Sequence, residues 1–282
     1  MALVGLYSAT TRIADLDSQR HVSNRVYEQF CAEGRYQMLE QHGWPLETLL
    51  ARGVTLRPAA TYVKFHRQQR AGAALTVETT AYPAENGVVV WDHSIRQDDG
   101  EQVCQVQALT SVIGRDGSVV EILPITADRP DPYLIEGVPD FSGTCQRAEN
   151  AFSPPYSDMD YFGDLPIAAW WRIFEEGRHM AGDQLGLTRA RFLQFDTMLF
   201  WIAGTYRFYR TIRPGQKLVI YTWLERIVRI RAIIRQEIRS ADDQTLVGAS
   251  REEHLIVSLL HSRPKAMPAE LGETLTDYME FP

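Results

Sequence analysis

The sequence predicts an α+β protein built as two tandem copies of one fold, each a long helix followed by an antiparallel sheet. An internal repeat carries the first half of that statement. Ala14-Asp15-Leu16-Asp17 returns as Ser157-Asp158-Met159-Asp160, and Glu33-Gly34-Arg35 as Glu176-Gly177-Arg178, both offset by 143 positions (160 − 17 and 177 − 34). Phe65, Gly72, Leu75 and Ile95 keep the same register with Phe208, Gly215, Leu218 and Ile238. A period of that size is a small domain rather than a solenoid unit. The second observation is the order of hydrophobic periodicity, helical first and alternating afterwards in each copy.

In the first copy Tyr27, Phe30, Cys31, Gly34 and Met38 recur at spacings of three and four, one stripe of a helix. Ser23 or Asn24 can cap its start, and Gly43 stands where it stops. The second copy repeats the stripe as Trp170, Ile173, Phe174, Gly177 and Ala181, with Pro166 at the entry and Gly186 at the exit. Glycine inside a helix costs about 1 kcal/mol relative to alanine, so Gly34 and Gly177 imply close approach of helix to sheet. Strand patterns follow at 62–66, 75–81, 88–96 and 103–113, separated by Ala71-Gly72, Glu85-Asn86-Gly87 and Asp98-Asp99-Gly100. At 228–239, Val228, Ile230, Ala232, Ile234 and Ile238 alternate with Arg229, Arg231, Arg235 and Arg239, predicting one strand with a buried face and a basic face. Prolines at 130, 132, 139, 154 and 155 mark a linker. The expected organisation is a first domain over 1–128, a linker over 129–152, a second domain over 153–262 and a tail over 263–282.

Composition narrows the classes. At 282 residues, 45% hydrophobic and 23% charged, the chain has material for one large core or two modest ones, which excludes disorder and fibres. A net charge of −7 disfavours a nucleic-acid partner. No run approaches the roughly 20 apolar residues of a membrane span, and the start lacks a basic, apolar leader, so a cytoplasmic location without a membrane partner is expected. Cys31, Cys104 and Cys145 are odd in number and unpaired in spacing, suggesting buried apolar side chains rather than disulfides or zinc ligands. No cofactor or metal is expected.

The run Asp15-Leu16-Asp17-Ser18-Gln19-Arg20-His21-Val22-Ser23-Asn24, followed by Tyr27 and Glu33-Gly34-Arg35, resembles the opening signature of hot-dog acyl thioesterases. It is similar to acyl-CoA thioesterases of the 4-hydroxybenzoyl-CoA type and to tandem acyl-carrier-protein thioesterases, whose motif reads Asp-x-Asn-x-His-Val-Asn-Asn. The resemblance covers nearly the whole chain. It implies tandem hot-dog folds, each a long central helix wrapped by a curved antiparallel sheet, forming an intramolecular pseudo-dimer that can associate further into homo-oligomers. It also implies hydrolysis of an acyl-CoA or acyl-carrier-protein thioester, with Asp17 and its counterpart Asp160 as base or nucleophile.

Thioester cleavage needs a group that polarises the carbonyl and one that delivers oxygen to it. The N-terminus of the helix after Asn24 suits the first role, Asp17 the second, and His21 can orient water or donate a proton. Asn24, Gln68 and Gly163 complete the expected contacts, and Arg229 and Arg231 are candidates for the phosphates of the acyl carrier. An acid before a helix also serves as a turn former, and a basic strand face can simply be solvated. Two departures from the family pattern matter. Gln68-Gln69 stands where the carrier-protein thioesterases have Glu-Cys, and the second copy replaces His21 by Asp164 and Asn24 by Ile167, which favours the first copy as the working site. Asp15 and Asp158 suit hydrogen bonding in loops, Glu33 and Glu176 a solvated helix face, and His93 a satisfied place in the core. Trp170, Trp171, Trp201, Tyr206, Phe208 and Tyr209 suit core or an acyl tunnel. A hot-dog hydratase or dehydratase, and a non-catalytic acyl-thioester binder, are the alternatives.

Overall fold

A computed structural model of the chain describes residues 3–123, 125 and 133–281. The chain divides into two compact units, Met1–Glu136 with Met159–Trp171, and Gly137–Asp158 with Arg172–Pro282. In the first, β1 (Leu3–Thr10) is followed by α1 (Asn24–Gln41), α2 (Leu46–Arg52), β2 (Thr55–Phe65), β3 (Ala74–Pro83), β4 (Val88–Gln97) and β5 (Gln102–Ile113). The strands are antiparallel in the order β1-β3-β4-β5-β2, with α1 lying on β1 and β3. All five residues of the predicted stripe are buried, and the chain leaves α1 through Gly43 at φ 84°.

The second unit contains β6 (Ala148–Phe152), most of α3 (Ile167–Gln184), α4 (Arg189–Gln194), β7 (Met198–Phe208), β8 (Leu218–Val228), β9 (Arg231–Ser240), β10 (Leu246–Ser258), β11 (Arg263–Pro264) and α5 (Ala269–Leu275). Its order β6-β8-β9-β10-β7 is the first unit's order displaced by one copy. Trp170, Ile173, Phe174, Gly177 and Ala181 are buried along α3.

The repeated glycines are where helix meets sheet. A Cβ at Gly34 would stand 2.6 Å from Thr79 Oγ1; one at Gly177 would stand 2.6 Å from Gln236 Nε2 and 2.7 Å from Ile220 Cγ2. Under Gly34 lies a buried polar chain. Arg35 Nη2 donates to Glu28 Oε1, Arg35 Nη1 lies 3.1 Å from His93 Nε2, and Thr79 Oγ1 lies 2.9 Å from His93 Nδ1. His93 is therefore the satisfied core histidine expected, its pKa held down by burial and by the Arg35 charge. At equivalent places the second unit has Arg178, Thr222 and Gln236, but Arg178 pairs with Glu252 on β10 rather than with an acid on its own helix.

Several expectations are corrected. β1 and α2 were not foreseen. The segment expected as linker carries β6, while Pro130 and Pro132 lie outside the described residues. The expected tail is built into the second unit: Leu271 and Leu275 are buried with Leu224, Ala232 and Ile256, and Glu280 accepts hydrogen bonds from Trp223 Nε1 (2.9 Å) and Ser142 N (2.7 Å). Residues 228–239 are not one strand, because Arg229 takes φ 54° and turns the chain between β8 and β9. Their basic face is not solvated throughout either. Arg235 is 2% exposed, 3.6 Å from Glu280 and 3.9 Å from Glu225, while Arg231 pairs with Glu253 and Arg239 with Glu237. Cys145 is half-buried rather than buried, and Tyr209 is exposed.

Candidate active site

The repeated aspartates close two turns of the same design. Asp17 Oδ1 accepts from Gln19 N (2.7 Å) and His21 N (3.1 Å), Asp17 N donates to His21 O (2.8 Å), and Arg20 N donates to Asp17 O (3.1 Å). In the second copy Asp160 Oδ1 accepts from Phe162 N (2.9 Å) and Asp164 N (3.1 Å), Asp160 N donates to Asp164 O (2.9 Å), and Gly163 N donates to Asp160 O (3.0 Å). The fourth residue of each turn needs positive φ, met by Gly163 at 79° and, in the rarer left-handed conformation of a side-chain-bearing residue, by Arg20 at 65°. Both turns thus hold the carboxylate by one oxygen; Oδ2 takes part in none of these bonds.

What surrounds the turns differs. The first is clamped at its base, where Leu16 bridges to Val22, Val22 N donates to Gln69 O (2.9 Å) and Ser23 N donates to Asp15 O (2.8 Å). Asp15 is buried and held below its usual pKa by hydrogen bonds from the exposed Arg12. Asp17 at the tip is exposed, and His21 and Asn24 are half-buried. Helix α1 begins straight after the clamp, with no side-chain hydrogen bond from Ser23 to its first turn. The second turn is half-buried. Tyr161 packs edge-on against Tyr36 of α1 (5.7 Å between centroids) and against Phe162 (4.5 Å). Asp164 accepts from Thr55 Oγ1 (3.3 Å) and lies 3.9 Å from Arg57 Nε. Burial raises the Asp160 pKa, as does the neighbouring Asp164 charge, against the lowering effect of the backbone N–H donors. Asp158 is engaged by Arg172, so like Asp15 it is a loop anchor.

The other expected site residues are dispersed. Gln68 is exposed in the loop after β2; its neighbour Gln69 is the buried one, at 3% exposure, and was not singled out. Arg229 is exposed on the β8–β9 turn, and Arg231 is held by Glu253. Glu33 and Glu176 are exposed on their helices. Of the six aromatics, Trp170, Trp171, Trp201, Tyr206 and Phe208 are buried. Among the described residues no helix is long and apolar enough to cross a membrane, and no three His, Cys, Asp or Glu side chains are grouped to hold a metal ion.

A profile of the thioesterase-like superfamily matches residues 11–131 and again 154–275, so that each match contains one aspartate turn and its helix. The chain belongs to this superfamily. Solved superfamily-like folds align over most of it. The 12:0-ACP thioesterase of Umbellularia californica superposes with a TM-score of 0.69 at 14% identity, covering 93% of this chain and 94% of that one. An acyl-ACP thioesterase from Bacteroides thetaiotaomicron gives 0.68 at 12% identity, covering 89% and 97%. A putative oleoyl thioesterase from Lactobacillus plantarum gives 0.68 at 12% identity, covering 95% and 98%. The double hot-dog fold is therefore shared with these enzymes. No curated protein matches the sequence.

Proposed function

We propose that this thioesterase-like protein hydrolyses an acyl thioester carried on coenzyme A or an acyl carrier protein, using Asp17 in the first copy. The observation that carries the reading is the exposed carboxylate of Asp17, fixed by one oxygen on a clamped turn that feeds directly into the N-terminus of α1. Asp17 Oδ2 delivers the oxygen, as base toward a water or as the nucleophile itself. In the water route the water oxygen bonds to the thioester carbon, its proton passes to Asp17, and the carbonyl π pair moves onto oxygen. Collapse restores the C=O bond and breaks the C–S bond, and the departing thiolate takes the proton back, with His21 as relay. The dipole of α1 favours the transient negative charge. Asp160 is the counterpart with a different job, because it is half-buried, its neighbour Tyr161 packs on Tyr36 of α1, and Asp164 is committed to Thr55 and Arg57.

The test is release of free thiol from a panel of acyl-CoA and acyl-carrier-protein substrates by the purified protein. Turnover lost in Asp17→Asn and kept in Asp160→Asn supports the assignment. Absence of thiol release across the panel refutes the activity.

A further inference from the structure

We propose that the side-chain amide of Gln69 donates to the thioester carbonyl oxygen and holds its developing charge, an inference that rests on the hydrolytic reading above. The residue's place is unusual for its type. His66, Arg67, Gln68, Arg70, Ala71 and Gly72 around it are all exposed, whereas Gln69 is 3% exposed. Its Nε2 is buried with no hydrogen-bond partner among the described residues. An amide taken from water and left unbonded is costly, and nearly all such groups in folded proteins find a partner. Beside the Asp17 turn, such a donor is open to an acceptor that a bound ligand brings.

Its position names the ligand group. The Gln69 carbonyl accepts the Val22 N–H at the base of the Asp17 turn, two residues before α1 begins. The next residues are pinned in turn, since Thr11 Oγ1 donates to Arg70 O (2.6 Å) and accepts from Ala73 N (2.9 Å). The amide is thus carried on a braced backbone that is bonded to the base of the Asp17 turn, directly before α1. Preorganisation of this kind is what an oxyanion donor needs. The repeat supplies a control: the equivalent residue in the second copy is Ile212, fully buried, and that copy also lacks His21 and Asn24. A buried amide has been kept only where the other polar groups of the site are.

Gln69→Leu and Gln69→Met remove the donor and retain the bulk. In both, kcat is expected to fall about 10²–10³-fold with KM changed less than threefold, as for loss of one oxyanion donor. Because an unbonded buried amide is removed, Tm should rise by about 2–4 °C. Gln69→Glu adds a pH signature, inactive when ionised and recovering as the pH falls and the acid becomes a donor. Unchanged kcat in Gln69→Leu and Gln69→Met, or parallel loss of activity and Tm in both, overturns the proposal. Wild-type protein that releases thiol while these variants do so equally well leaves the hydrolytic reading standing, whereas a wild type inert on every substrate removes both.

Discussion

In the first copy the aspartate that closes the turn is exposed and is followed by His21, Asn24 and the buried Gln69; in the second it is half-buried and is followed by Asp164, Ile167 and Ile212. Each turn is closed by the same four hydrogen bonds, two to the aspartate carboxylate and two within the backbone. The aspartate is therefore explained twice over in structural terms, as the residue whose carboxylate oxygen caps two N–H groups, and repetition of Asp alone says nothing about catalysis. Under the proposed assignment it is the accompanying polar groups, and not the aspartate, that distinguish the first copy from the second.

The largest expected effect tests that separation directly. Asp17→Asn preserves the two accepted hydrogen bonds and removes the base, so kcat should fall about 10²–10⁴-fold with an unchanged far-UV spectrum, while Asp160→Asn should stay within about threefold of wild type. The reverse pattern would move the working site to the second copy. His21→Ala should lie between the two.

Next comes packing, where the copies should behave alike. Alanine at Gly34 or Gly177 drives a methyl against Thr79 or Gln236, and overpacking of this kind costs about 1–3 kcal/mol in denaturant unfolding. Gly177→Ala should be the worse, because Ile220 is branched and stands equally close. Absence of a loss in both would mean that the helices can ride away from their sheets.

A smaller effect separates the turns by pH. The folded pKa of Asp160 is raised above its unfolded value by burial, so its contribution to stability is fully present below the unfolded value of 3.8 and is lost as pH rises through the folded value. Asp160→Asn should remove that loss, flattening the fall of the unfolding midpoint as the pH rises above 3.8. Asp15, lowered by Arg12, works in the opposite direction, and Asp15→Asn should cost stability at neutral pH but little in acid. The smallest change is expected from Arg229→Glu with Arg231→Glu. Arg231 is already matched by Glu253, so KM for either carrier should shift less than threefold. A tenfold rise, relieved by added salt, would restore an anion-binding role to that hairpin.

The repeat, the helix stripe and the glycine contact were legible because each depends on spacing along one element. β1 was not, since Leu3–Thr10 is an edge strand whose outer positions are a mixture of Val4, Leu6 and Ser8 rather than a clean polar set. The burial of Arg235 was hidden because its partners, Glu225 and Glu280, come from a neighbouring strand and from the far end of the chain. Gln69 was passed over for Gln68 for the same reason. Two adjacent amides look alike in sequence, and only the fold decides which one faces inward.

The different placing of the buried acids also bears on how the halves form. Glu28 and Arg35 sit two turns apart on a single helix, so α1 can complete its ion pair before any sheet exists. Arg178 finds Glu252 only after a long stretch of chain has been closed and β10 laid down beneath α3. One copy carries its charge balance as a local property and the other as a late one. In hydrogen exchange pulsed during refolding, the expected order is protection of the α1 amides first and of the α3 amides together with β10.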